Sequence, residues 1–197
     1  MLPLRCVACA TPLAVGGGDW CDVCAEQLTP SPSPGLLLYG GSLPGLIQRA
    51  KYSRDVSAAR ALASLMAERI DIDTGDVDVV TFVPAHWSRA MARGFDLPAL
   101  LADVVAVRLG VPMRSLLVAG RRDRRLASSS SVDERARLVA GRFRACPGIE
   151  RLHGRARVLL VDDVHTTGAT LTEASAVLVG AGVREVIVRT LALTPAQ

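Results

Sequence analysis

Two groups of residues in this chain have the types and spacing for chemistry. The first is Asp162-Asp163, followed after two residues by Thr166-Thr167-Gly168-Ala169-Thr170. Ionised carboxylates only accept hydrogen bonds, so the acidic pair calls for a ligand that donates them, such as a sugar diol, or for a divalent cation. The Thr hydroxyls and the free backbone N–H groups at the start of a helix instead suit an anion. Taken together they describe a ribose 5-phosphate, with hydroxyls on Asp162 and Asp163 and phosphate in the run Thr166, Thr167, Gly168, Ala169 and Thr170. The second group is cysteine: Cys6-x-x-Cys9 and Cys21-x-x-Cys24 hold four of the five cysteines. Two CxxC knuckles bring four thiolates to one point, the ligand set of a structural zinc site. Disulfides are the alternative, disfavoured in a reducing cytoplasm. A redox CxxC is less apt, because no βα unit surrounds either pair.

These groups need elements to position them. Residues 158–161 are four apolar residues in a row and read as a buried parallel strand. The acids then stand at its C-terminal end, where open α/β sheets bind ligands. Leu171, Ala174 and Leu178 repeat at helical spacing beyond the loop. Upstream, residues 36–39, 77–83 and 183–193 read as further strands, and residues 45–51, 56–70 and 98–109 as helices. Strands and helices alternate from about residue 77 onward, the pattern of an α/β parallel sheet flanked by helices. Residues 1–28 form the zinc-binding module, residues 29–35 (Thr-Pro-Ser-Pro-Ser-Pro-Gly) a stiff linker, and residues 36–197 the main domain.

Composition narrows the class. Half of the 197 residues are hydrophobic, enough for a sizeable core, and the net charge of +4 favours anionic partners weakly. No stretch is long and apolar enough to span a membrane, and the early cysteines break any signal-peptide run, so a cytoplasmic protein is expected. Two Trp, two Tyr and three Phe give few platforms for stacking single-stranded bases.

The stretch from residue 158 to residue 171 resembles the phosphoribosyl diphosphate (PRPP) signature of type I phosphoribosyltransferases. Over nearly its whole length the chain resembles the ComF family of competence-associated, phosphoribosyltransferase-like proteins, which also carry an N-terminal four-cysteine zinc module. The resemblance implies that PRPP or a related phosphoribosyl compound is bound with Mg2+. It further implies a role in DNA uptake, with nucleic acid or DNA-processing proteins as partners. The diphosphate would meet Lys51 (in Ile47…Ala50-Lys51-Tyr52), Arg89 and Arg93, the latter within Arg93-Gly94-Phe95-Asp96. The segment carrying Arg121, Arg122, Arg124 and Arg125 corresponds to the loop that closes over PRPP in such enzymes. Glu134-Arg135 and Gly141-Arg142-Phe143 also match, whereas Asp96, Arg124 and Ala127 depart from the family pattern. Thr166 stands where purine-salvage relatives place an acidic proton acceptor, and Thr is a poor general base. The expectation is therefore a ComF-type binder of PRPP or ribose 5-phosphate. The alternative is an active phosphoribosyltransferase acting on an unknown nitrogen acceptor.

Overall fold

The computed structural model describes residues 4–14, 18–85, 91, 94–120 and 141–195. The chain orders as α1 (Asp22–Glu26), β1 (Gly35–Leu38), α2 (Leu43–Tyr52), α3 (Val56–Arg69), β2 (Val79–Phe82) and α4 (Leu97–Leu109). Then follow β3 (Leu117–Ala119), β4 (Phe143–Ala145), a short 3-10 turn (Ile149–Leu152), β5 (Arg157–His165), α5 (Ala169–Gly180) and β6 (Glu185–Leu193).

Four strands form one sheet in the order β1-β6-β5-β2, all parallel. A parallel bridge from Val80 to Met113 lengthens the β2 edge. Side chains alternate across β5, and the core divides accordingly. Leu159 and Val161 face α2, α3 and α4, among Leu46, Leu62 and Leu101. Val158 and Leu160 face Leu171, Ala174 and Leu178 of α5. Strands buried on both faces need unbroken apolar runs, which is why residues 158–161 are so uniform.

The helices end where local chemistry stops them. Asp55 caps α3, its carboxylate accepting the Ala58 N–H at 3.0 Å. Gly110, left-handed at φ 69°, closes α4. Helix α2 begins two residues earlier than the sequence suggests, with Pro44 in its first turn, where its missing N–H costs nothing.

Three further features differ from expectation. Strand β5 continues through Asp162, Asp163 and His165, paired with β6 as far as His165 opposite Leu193. The two acids thus lie inside the ladder rather than beyond it. The short antiparallel pair β3–β4 is additional to the elements read from the sequence. Finally, the Pro/Ser run folds back on β1: Pro30 bridges Leu37, the Ser31 N–H reaches the Leu36 carbonyl at 3.1 Å, and the Leu38 N–H reaches the Thr29 carbonyl at 2.8 Å.

The cysteine segment is braced against the main sheet. Val7 and Trp20 pack on the first core cluster. Helix α2 is held near both ends: the Ser42 hydroxyl donates to the Cys24 carbonyl at 3.0 Å, and Arg49 Nη1 to the Val7 carbonyl at 2.6 Å. Arg49 also binds Asp55, at 2.5 Å from Nη2 and 3.0 Å from Nε.

Candidate functional site

The site forms where β5 ends. Successive residues of a strand point to opposite faces, so Asp162 and Asp163 cannot present a single carboxylate surface without help from the loop. Asp163 is buried (6% exposed), and its Oδ1 accepts from Lys51 Nζ at 2.8 Å. Asp162 is half-buried, and its Oδ1 accepts the Asp163 N–H at 2.8 Å. Burial pushes the Asp162 carboxyl well above the usual carboxylate range, and the neighbouring Asp163 charge pushes it further. The Asp163 N–H and the Lys51 cation oppose the rise, and the Asp96 charge adds to it. Asp162 thus resists ionising beside the Asp163 carboxylate.

Lys51, expected to meet a diphosphate, lies at the last turn of α2 in this ion pair. Asp96 accepts the Ala85 N–H at 3.0 Å and so ties the end of the β2 loop to the start of α4. Arg89 and Arg93 lie outside the described residues. So do Arg121, Arg122, Arg124 and Arg125.

The Thr/Gly loop follows β5. Thr166 and Thr167 are exposed, and Gly168 takes a left-handed conformation (φ 76°) as the N-cap of α5. The Thr172 N–H is the one that returns to the Gly168 carbonyl, at 2.9 Å. The N–H groups of Ala169, Thr170 and Leu171 precede it and have no helical acceptor. No described side chain caps this terminus, and no acidic residue stands in its first turn. Donors and helix dipole therefore favour an anion there.

Two residues that the sequence reading left without a role sit against this loop. The His165 ring packs over Gly168, so closely that a Cβ on Gly168 would lie 2.8 Å from His165 Nε2. Its Nδ1 is buried without a hydrogen-bond partner among the described residues. Arg142, just before β4, places Nη1 3.3 Å from the Thr170 hydroxyl. The sequence signal for His165 was its position inside the motif, and for Arg142 its place in the Gly141-Arg142-Phe143 match, which assigned it no role.

The four cysteines converge. Cys6, Cys9, Cys21 and Cys24 place their sulfurs within 4.8 Å of one another, with Cys9 and Cys21 at 3.6 Å. Tetrahedral zinc with bonds near 2.3 Å separates its sulfurs by about 3.8 Å, so the set fits a metal ion. None is in a disulfide. The Ala10 N–H donates to the Cys6 carbonyl at 2.8 Å and the Ala25 N–H to the Cys21 carbonyl at 2.9 Å, which curls both knuckles. The Thr11 hydroxyl and N–H draw the Cys9 thiol down to about 6, whereas burial and the adjacent sulfurs push Cys24 up. A cation among them would relieve that opposition.

The parallel sheet with helices on both faces, its acidic strand end and its Thr/Gly loop together make the type I phosphoribosyltransferase fold. Among solved structures, the glutamine PRPP amidotransferase from B. subtilis, complexed with ADP and GMP, is 27% identical with a TM-score of 0.50. An allosteric regulatory enzyme of purine biosynthesis is 26% identical at the same TM-score. Each alignment covers 68% of this chain but only 26% and 25% of the respective enzymes, so the chain spans about a quarter of their length. Among curated proteins, the DNA utilization protein YhgH of Salmonella typhimurium is 26% identical over 227 residues, covering 98% of each chain. The Salmonella typhi protein of the same name is similar to the same extent. No family model matches the sequence. No helix among the described residues is long and apolar enough to cross a membrane.

Proposed function

We propose that this chain is a ComF-type, phosphoribosyltransferase-like protein of the cytoplasm that binds PRPP or a ribose 5-phosphate compound with Mg2+ and serves DNA uptake and utilisation. One observation carries the reading: the acids at the end of β5 are joined, through His165 to Gly168, to an α5 N-terminus that no described side chain caps. The ribose hydroxyls would donate to Asp162 and Asp163, and the 5-phosphate would take the N–H groups and hydroxyls of the run from Thr166 to Thr170. Lys51 is the described cation nearest the acids, and Arg89 and Arg93 are its candidate companions for a diphosphate. Mg2+, when bound, would neutralise part of that diphosphate charge. Zinc in the four-cysteine set would hold the N-terminal knuckles. The similarity to a DNA utilization protein over 98% of the chain supports the cellular role.

Calorimetric titration of PRPP and ribose 5-phosphate, with and without Mg2+, tests the binding. Saturable binding is expected, weakened by ~1.5–3 kcal/mol in Asp162→Asn and in Asp163→Asn, as for hydrogen bonds to charged groups. An absence of saturable binding by either compound would reject the reading.

The similarity to a PRPP amidotransferase favours a second reading, transfer of the phosphoribosyl group to a nitrogen acceptor. The anomeric C–O bond would break as nitrogen attacks and diphosphate leaves, with cations stabilising the departing charge. Thr166 offers no general base, so the acceptor would have to arrive as a free nucleophile. Diphosphate released from PRPP only when one particular acceptor is supplied would establish this activity.

A further inference from the structure

We infer that Arg142 reads the phosphate group of the ligand and sets the preference of this site for phosphomonoesters. The inference rests on the proposed phosphoribosyl site and names a residue that its loop motif does not contain.

The position of Arg142 is fixed by α5 itself. Glu173, one turn into the helix, accepts the Arg142 N–H at 2.7 Å and the Gly141 N–H at 3.3 Å through one carboxylate oxygen. The other oxygen stands 3.9 Å from Arg142 Nε, a loose ion pair. The backbone of residue 142 is therefore pinned to the same helix whose N-terminus forms the cradle. From that anchor the guanidinium reaches back along α5 to the Thr170 hydroxyl at 3.3 Å. The side chain remains 46% exposed, whereas Glu173 is 10% exposed and occupied with backbone donors.

Charge and geometry point the same way. The first turn of α5 carries no acid, and Glu173 in the following turn holds the guanidinium only through the loose 3.9 Å contact with Nε. Planar guanidinium groups bind phosphate oxygens through paired N–H bonds, which backbone amides and hydroxyls alone do not replace. A phosphate held by the N–H groups of Ala169 and Thr170 would lie against the hydroxyl that Arg142 already touches. An unphosphorylated sugar would gain nothing from it.

The alternative is a brace, with Arg142 merely tying β4 to α5. Titration of inorganic phosphate and ribose 5-phosphate into the full chain, with Arg142→Met and Arg142→Lys beside it, separates the two. Arg142→Met should weaken both ligands by about tenfold or more, the scale of a charge-assisted hydrogen bond. Arg142→Lys should recover most of that loss, and the thermal midpoint should stay close to wild type in both variants. Wild-type affinity in Arg142→Met would overturn the inference and leave the proposed function standing. Equal losses of affinity and midpoint in both variants would also overturn it, in favour of the brace. A wild-type chain that binds neither ligand would overturn the site reading itself.

Discussion

Replacing Gly168 by Ala probes the Thr/Gly loop most directly, because two separable costs arise at one atom. The first is conformational. At φ 76° an L-residue with a Cβ pays roughly 1–2 kcal/mol that glycine does not. The second is steric: the new Cβ would lie 2.8 Å from His165 Nε2, with Cε1 at 3.7 Å and Cδ2 at 3.8 Å. Only one ring atom is too close, so a small rotation of the imidazole would relieve the contact, and the conformational term should dominate. For a chain of this size, about 1–2 kcal/mol corresponds to a fall of roughly 2–8 °C in the unfolding midpoint. Calorimetric melting of Gly168→Ala, His165→Ala and the double variant closes a cycle that isolates the steric term. The double variant should regain that term and keep the conformational deficit. A Gly168→Ala midpoint equal to wild type, or complete recovery in the double variant, would refute the reasoning.

Asp162→Asn should stabilise the protein at neutral pH while weakening sugar binding. A carboxyl raised in the folded state keeps a proton that the unfolded chain releases above about pH 4, so wild-type stability falls as pH rises from there. Denaturation midpoints from pH 4 to 8 should show that slope flattened in the variant, and an unchanged slope would contradict it. Asp55 has the opposite sign: the Ser57 hydroxyl, the Ala58 N–H and Arg49 hold its carboxyl down to about 2. Its stabilisation is complete above the unfolded value near 4 and is lost as pH falls towards 2, so Asp55→Asn should flatten that acid limb in the same measurement. Purified protein should contain about one zinc per chain, and Cys21→Ser should lose it by elemental analysis. Arg49→Met removes the guanidinium that holds the Val7 carbonyl, so zinc should pass to a chromogenic chelator several-fold faster than from wild type.

The parts of the fold legible in the sequence are those whose cause is local. Residues 158–161 are uniformly apolar because both faces of β5 are covered, and Gly168 and the threonines stand where the loop turns into α5. Gly110 likewise ends α4 at the residue where the sequence reading stops that helix, whereas α2, with Pro44 in its first turn, starts two residues earlier than the sequence suggests. The β3–β4 pair left no comparable mark, because each strand is three residues long and pairs across more than twenty. The pairing of Lys51 with Asp163 spans 112 residues, and no periodicity in either segment announces it. Arg142 matched the family pattern in the sequence, but nothing there gave it a role until Glu173 and Thr170 were found beside it. The composition of the Pro/Ser run suits a stiff spacer, and it carries no mark of the hydrogen bonds that Thr29 and Ser31 make to β1.

The pairing of β1 with β6 sets an order of events on the ribosome. Gly35 lies opposite Thr190 and Leu37 opposite Ala192, so β1 meets its partner in the sheet only after some 155 further residues have been made. At 5–20 residues per second that delay is roughly 8–30 s. Throughout it Leu37, fully buried in the finished protein, has no parallel neighbour. Among the described residues, the antiparallel contacts from Thr29, Pro30 and Ser31 are the strand-like partner that lies close to β1 in sequence. They occupy backbone groups on a nascent strand that would otherwise offer them to another chain. In the finished protein the run read as a linker thus covers the edge of β1 that β6 leaves open.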